Sequence, residues 1–146
     1  RGLGDVYKRQ LVLCTGNSCR SQMAHGWLNY YSGGTSTIYS AGIETHGVNP
    51  KAVHSMAKAG VDISHHTSNH LDEYLAIEFD YIITVCDHAA ESCPVISSKK
   101  TVRVHQNFFD PSKLKGKDEE IDAAFDQTNE AIAAFCKKFV EVKLSQ

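Results

Sequence analysis

Apolar residues along this chain fall into two alternating patterns. Leu11-Val12-Leu13-Cys14, Ile38-Tyr39-Ser40 and Tyr81-Ile82-Ile83-Thr84-Val85 are short runs with the length and content of buried strands, and Thr101 to His105 supplies a fourth. Between them the period turns helical. One helical stretch runs from Cys19 to about Tyr31, and another from Asn49-Pro50, a cap followed by proline at the first helical position, to about Ala59 before Gly60. His70 to Ile77 reads as a short helix. From Asp118 to about Val142, Ile121, Phe125, Thr128, Ile132, Phe135, Cys136 and Phe139 recur at three- and four-residue spacings, which describes one long amphipathic helix. Strands alternating with helices predict an α/β fold: a single doubly wound domain over 9–146, with a four-stranded parallel sheet flanked by helices. Arg1 to Lys8 carry no such period and read as a frayed terminus or artefact. The ligand site of such a sheet lies at the carboxyl ends of its strands, where Cys14, Cys86 and the segment after His105 all fall.

Composition narrows the chemistry. A chain of 146 residues with 42% hydrophobic content is large enough to bury a core, which excludes a disordered protein. No stretch approaches the roughly 18 consecutive apolar residues of a membrane span, and no early apolar run precedes a small-residue cleavage site. A cytoplasmic monomer is therefore expected. With a net charge of −2 there is no overall positive field for nucleic acid or a membrane surface, so any anion site is local. Five cysteines, an odd number, argue against a fully paired disulfide framework and leave thiols for chemistry.

The informative segment is Cys14-Thr15-Gly16-Asn17-Ser18-Cys19-Arg20-Ser21, a C-x5-R pattern between a strand and a helix. A loop of this length wraps its backbone N–H groups around a tetrahedral oxyanion, and the following helix N-terminus adds positive potential. Arg20 completes the cradle with a planar fork suited to two oxygens at once. Cys14 sits at its base, where the same groups should favour thiolate and lower its pKa below the free value of about 8.5. Ser21 is placed to donate a hydrogen bond to that sulfur. Gly16 and Asn17 tolerate the left-handed backbone of a tight anion loop.

The run CTGNSCRSQMA resembles the active loop of the low-molecular-weight tyrosine phosphatase family, and more closely that of its thioredoxin-coupled arsenate reductase branch. The similarity extends through Tyr39 to Pro50 and Asp62-Ile63-Ser64, and resumes at Thr84-Val85-Cys86 and Cys93-Pro94. The resemblance implies arsenate as substrate and thioredoxin as reductant. It assigns Cys14 as nucleophile, Cys86 as second thiol and Cys93 as the last of a relay, as disulfide exchange requires. Cys19 and Cys136 read as structural. Asp110-Pro111 matches the family's acid-bearing pair, and Asp110 would protonate the leaving oxygen if burial or the thiolate raised its pKa.

Other readings stand beside this one. Cys14, Arg20 and Asp110 alone would serve a phosphomonoester hydrolase, although Ser112 and Lys113 stand where the family's phosphatases place an aromatic residue. A non-catalytic oxyanion binder or a thiol switch is a third reading. The Cys86–Cys93 spacing does not fit a structural zinc site, and neither metal nor cofactor is expected. Some reductases of the branch hold potassium behind the loop with two carboxylates; His25 and Asn69 occupy those positions here, beside Asn17, Ser40 and Thr67, so no bound potassium is expected. His25 is instead a candidate for supporting the loop directly.

Overall fold

The computed structural model describes residues 8–92 and 101–144. Its frame is four parallel strands, β1 (Lys8–Cys14), β2 (Ser36–Gly42), β3 (Tyr81–Thr84) and β4 (Val102–His105), in the spatial order β2-β1-β3-β4. Lys8, which its lack of pattern had placed outside the domain, opens β1 opposite Ser36. Leu11, Val12 and Leu13 are fully buried because β1 has a strand on each side and is covered on both faces, which explains their continuous apolar run. Leu11 stands between Tyr39 and Ile82.

Three of the helices follow their sequence patterns closely. Helix α1 (Arg20–Ser32) carries no clear polar face, since it lies against β1, β2 and a later helix and buries residues around its circumference, Met23, Ala24 and Leu28 among them. Gly33, at φ +60°, closes it in the left-handed conformation. Helix α2 (Pro50–Lys58) begins as expected, with Asn49 Oδ1 accepting from the Lys51 amide at 2.8 Å. The stretch from His70 forms only a 3-10 turn, Leu71–Tyr74, because the His70 ring and Glu73 carboxylate bond reciprocally across it and only Leu71 is buried. Asp87–Ser92, a polar segment with no readable period, forms a short helix, α3. The long final helix α4 (Asp118–Phe139) packs Phe125, Ile132 and Cys136 into the core and ends in a wider π-helical turn, Val140–Leu144.

From β1 the chain advances to β2 on one side and later to β3 on the other. This reversal opens a crevice at the carboxyl ends of β1 and β3, the place where such sheets bind ligands. Leu13 and Thr84 are in register there, and the Val85 amide donates to Leu13 O at 3.0 Å, so Cys14 and Cys86 emerge side by side.

Candidate active site

Residues 15–19 fill that crevice, and their carbonyls decide their shape. Cys14 O accepts from the Ile43 amide, Thr15 O from Glu44, and Gly16 O from His46 and from Ser68 Oγ. Asn17 O accepts from Gln22 Nε2, and Ser18 O from the Asn49 amide. All five carbonyls are thus held from outside. In a trans peptide the N–H points away from the C=O, so the amides of Thr15 to Cys19 are turned inward. Among the described residues none of those amides finds a hydrogen-bond acceptor. An oxyanion in the loop would satisfy them.

Two residues make the curve possible in different ways. Asn17 takes the left-handed conformation at φ +48°. Its side chain is locked by accepting from the Asn69 amide and donating to Ser21 Oγ, at 2.8 and 2.9 Å. Gly16 does not need a positive φ. A β-carbon there would collide with the His46 ring, so the glycine serves close approach instead. Ser21 is buried, and the bond it makes is to Asn17 rather than to Cys14.

Arg20 is buried against the same cavity. Its Nη1 donates to Phe108 O at 2.9 Å and Nη2 meets Asp110 Oδ2 at 3.3 Å, while Nε is buried without a partner. An unpartnered buried donor beside inward amides is where an anionic oxygen fits. The cavity, about 250 Å³, is lined by Cys14, Thr15 and Arg20 together with Glu44, His46, Asp110 and Lys113. Among the described residues no Phe, Tyr or Trp lines it. A larger groove of about 440 Å³ near Trp27, Asp126 and Asn129 contains no thiol.

The thiols divide by their surroundings. Cys14 and Cys86 stand side by side at the ends of β1 and β3, and each is the largest influence on the other's titration. Cys86 falls to about 5: the Cys14 thiol stabilises its anion, burial opposes this, and the Thr15 hydroxyl, the Ala89 amide and Arg20 assist. Cys14 is raised, first as the donor to that anion and then by burial, against the pull of Arg20. Of the two thiols, Cys86 is the readier to ionise. This runs against the expectation of a lowered Cys14: the neighbouring Cys86 and burial outweigh the pull of Arg20. Burial and then Asp110 push Cys19 up to about 12, and its Sγ reaches Asp110 Oδ1 at 3.5 Å. Cys136 is raised by burial alone under α1. Cys93 lies outside the described residues.

For Asp110, burial pushes the pKa up, but the Ser112 hydroxyl, the Arg20 charge, the Ser112 amide and the Cys19 thiol outweigh it and hold the group below the usual carboxylate range. The expected raised acid is thus a carboxylate. His25 also departs from expectation. Its Nδ1 meets Ser40 Oγ at 2.8 Å and its ring lies tilted against His66 with centroids 4.4 Å apart, so among the described residues it reaches the loop through His66, Gln22 and Asn17. Burial, with His66 and His65 adding, lowers it to about 3, so it is neutral. Nearby, Thr67 Oγ1 is bonded to Asn69 Oδ1.

Gln22, Ser68, Asn69 and Asn49 hold the loop, and none was singled out for this role from the sequence. The one available signal was their polarity within otherwise apolar or turn-forming stretches.

Over residues 9–145 the chain matches the family described as low molecular weight phosphotyrosine protein phosphatase. An arsenate reductase of Halalkalibacterium halodurans is 50% identical over 129 residues, 88% of this chain and 92% of its own. That of Bacillus subtilis is 44% identical over the same shares. Among solved structures, an arsenate reductase in the phosphate binding state gives a TM-score of 0.73 at 25% identity, covering 92% of this chain and 97% of its own. A low molecular weight protein tyrosine phosphatase from T. tengcongensis gives 0.74 at 25% identity, covering 92% and 98%.

Proposed function

We propose that this chain, which belongs to the low molecular weight phosphotyrosine protein phosphatase family, reduces arsenate to arsenite by a three-thiol relay that thioredoxin recycles. The observation that carries the reading is the pair of buried free thiols, Cys14 and Cys86, brought side by side by the register of β1 and β3 at the loop. A hydrolase needs only the first. The absence of an aromatic wall among the residues lining the cavity also favours a small inorganic oxyanion over an aryl phosphate.

Arsenate sits on the inward amides of Thr15, Gly16, Asn17, Ser18 and Cys19 and on Arg20. The Cys14 sulfur attacks arsenic and forms a sulfur–arsenic bond; one arsenate hydroxyl leaves as water with the proton given up by the Cys14 thiol. Asp110, a carboxylate beside Arg20, carries that proton between donor and leaving oxygen. The Cys86 thiolate then attacks Cys14 Sγ. The electron pair of the sulfur–arsenic bond stays on arsenic, which leaves as arsenite, and a Cys14–Cys86 disulfide remains. Cys93 attacks Cys86, Cys14 departs as thiolate, and the Cys86–Cys93 disulfide is reduced by the dithiol of thioredoxin.

The test is arsenate-dependent NADPH oxidation with thioredoxin and its reductase, run beside aryl phosphate hydrolysis. Turnover of arsenate is expected, with both activities lost in Cys14→Ser. Cys93→Ser should stop after one arsenate per chain while sparing hydrolysis. Hydrolysis without arsenate turnover would return the chain to the phosphatase reading, and loss of both in the intact protein would leave a binder or thiol switch.

A further inference from the structure

The Cys86 thiolate has a second connection that the relay does not use. Thr15 Oγ1 lies 3.5 Å from Cys86 Sγ and 3.0 Å from His88 Nδ1, so one hydroxyl bridges the sulfur and an imidazole. Thr15 and Cys86 are buried or half-buried, whereas His88 is exposed. A hydroxyl with two such neighbours donates to one and accepts from the other. With a thiol at Cys86 the chain runs S–H to Oγ1 and O–H to Nδ1; with a thiolate it runs in reverse, Nδ1–H to Oγ1 and O–H to S⁻. Both arrangements satisfy every atom.

We propose that His88 is a positioning residue for the arsenate reaction: acting through Thr15, it takes the proton of the Cys86 thiol and passes it to solvent. The Cys86 proton moves to Thr15 Oγ1 as the Thr15 proton moves to His88 Nδ1, leaving a thiolate and an imidazolium joined by the hydroxyl. While the imidazolium keeps its proton, the two charges stabilise each other through Thr15, which is what lowers the midpoint of Cys86; when His88 gives the proton to water, the thiolate remains. No electrons move and no co-reactant is needed.

Three further observations support the assignment. Cys86 Sγ also meets the Ala89 amide at 3.4 Å, but that contact is a donor and cannot remove a proton. Among the described residues the other groups facing Cys86 are the Cys14 thiol from β1 and the Arg20 guanidinium from α1, and neither is a base open to solvent. Asp87 and His105, the remaining titratable groups at this end of α3 and β4, are bonded to each other at 2.7 Å, and His105 is bonded to Thr84 through its second nitrogen. Thr15 is therefore the acceptor that leads outward. Each reduction of a disulfide at Cys86 regenerates a sulfur that must be anionic for the next attack.

The inference rests on the arsenate reading for its purpose but not for its test. The reduced full chain is titrated by ultraviolet thiolate absorbance, with Cys86→Ser subtracted to isolate the Cys86 signal. His88→Ala should move that midpoint up by about one pH unit, with an unchanged melting temperature. Thr15→Val should do the same, and the double variant should shift no further than either alone. His88→Asn, which still accepts from Thr15 but takes up no proton, should behave like His88→Ala. An unmoved midpoint in His88→Ala, or a midpoint restored by Asn, overturns the inference. A shift in a protein that does not turn over arsenate keeps the His88 assignment and removes the arsenate reading; turnover with no shift does the opposite.

Discussion

Arg20 is committed before any ligand arrives. One nitrogen is held by Phe108 O and another by Asp110, which fixes the plane of the guanidinium and leaves Nε facing the cavity side. A lysine offers one point charge and cannot reproduce this fork. Arg20→Lys should weaken binding of phosphate, used as a non-reacting ligand, by about 1.5–3 kcal/mol, roughly tenfold to a hundredfold by titration calorimetry. The coupled sulfurs make a second prediction. Cys86 titrates near 5 in the folded chain against an ordinary value of 9.0, so it contributes stability that is complete above 9 and is lost as pH falls towards 5. Cys14, raised, acts in the other direction: above 9 the unfolded chain ionises where the folded one does not, and stability declines. Urea melts should therefore show stability growing from about pH 5 to 9 and falling beyond, with the part of the rise above about pH 6.5 absent in Cys86→Ser and the part below it, to which the lowered His25 also contributes, retained. At this scale the C-x5-R residues were legible because their chemistry is local. The protonation state was not, since it depends on Cys86, which is distant in the chain and adjacent in space.

Helices and strands place these residues, and two elements show what a pattern reveals. Helix α4 was legible along nearly its whole length because 22 residues allow an apolar stripe to repeat. Helix α3 was not, because six residues give less than two turns and no period. It is held by partners remote in sequence, with the Asp87 amide on Asn107 Oδ1 at 3.1 Å and its carboxylate on His105. The start of α2 has two duties. The Asn49 side chain caps the helix while its amide holds Ser18 O, so Asn49→Ala should cost about 1 kcal/mol in thermal or urea unfolding through the lost cap. The end of β2 is less forgiving. A β-carbon on Gly42 would meet Glu44 O, the Asn17 amide nitrogen and Thr15 O, all backbone atoms of the cradle and its support. Gly42→Ala should abolish phosphate binding even where circular dichroism shows a folded chain.

Across the whole molecule, one residue contradicts the core around it. Gln10, in β1, is completely buried, and neither end of its amide has a partner. A methionine of similar length would remove two unsatisfied groups, so Gln10→Met should raise stability by about 1–3 kcal/mol in urea unfolding. Sequence reading set the start of the strand beside this residue without seeing the conflict, because a lone glutamine in a short run carries no sign of its depth. The loop itself shows the same limit on a larger scale. Its residues were readable from one motif, but the atoms that bend it come from Ile43 to His46, Asn49, Ser68 and Asn69. Because these widely separated stretches converge on one small ring, losing the fold at any of them dissolves the ring. A tetrahedral guest that prefers the intact ring should accordingly brace the entire chain against heat, by an amount that grows with the logarithm of its concentration over its dissociation constant. Melting temperature then becomes a ruler for ranking arsenate, phosphate, sulfate and vanadate by fit, without any turnover.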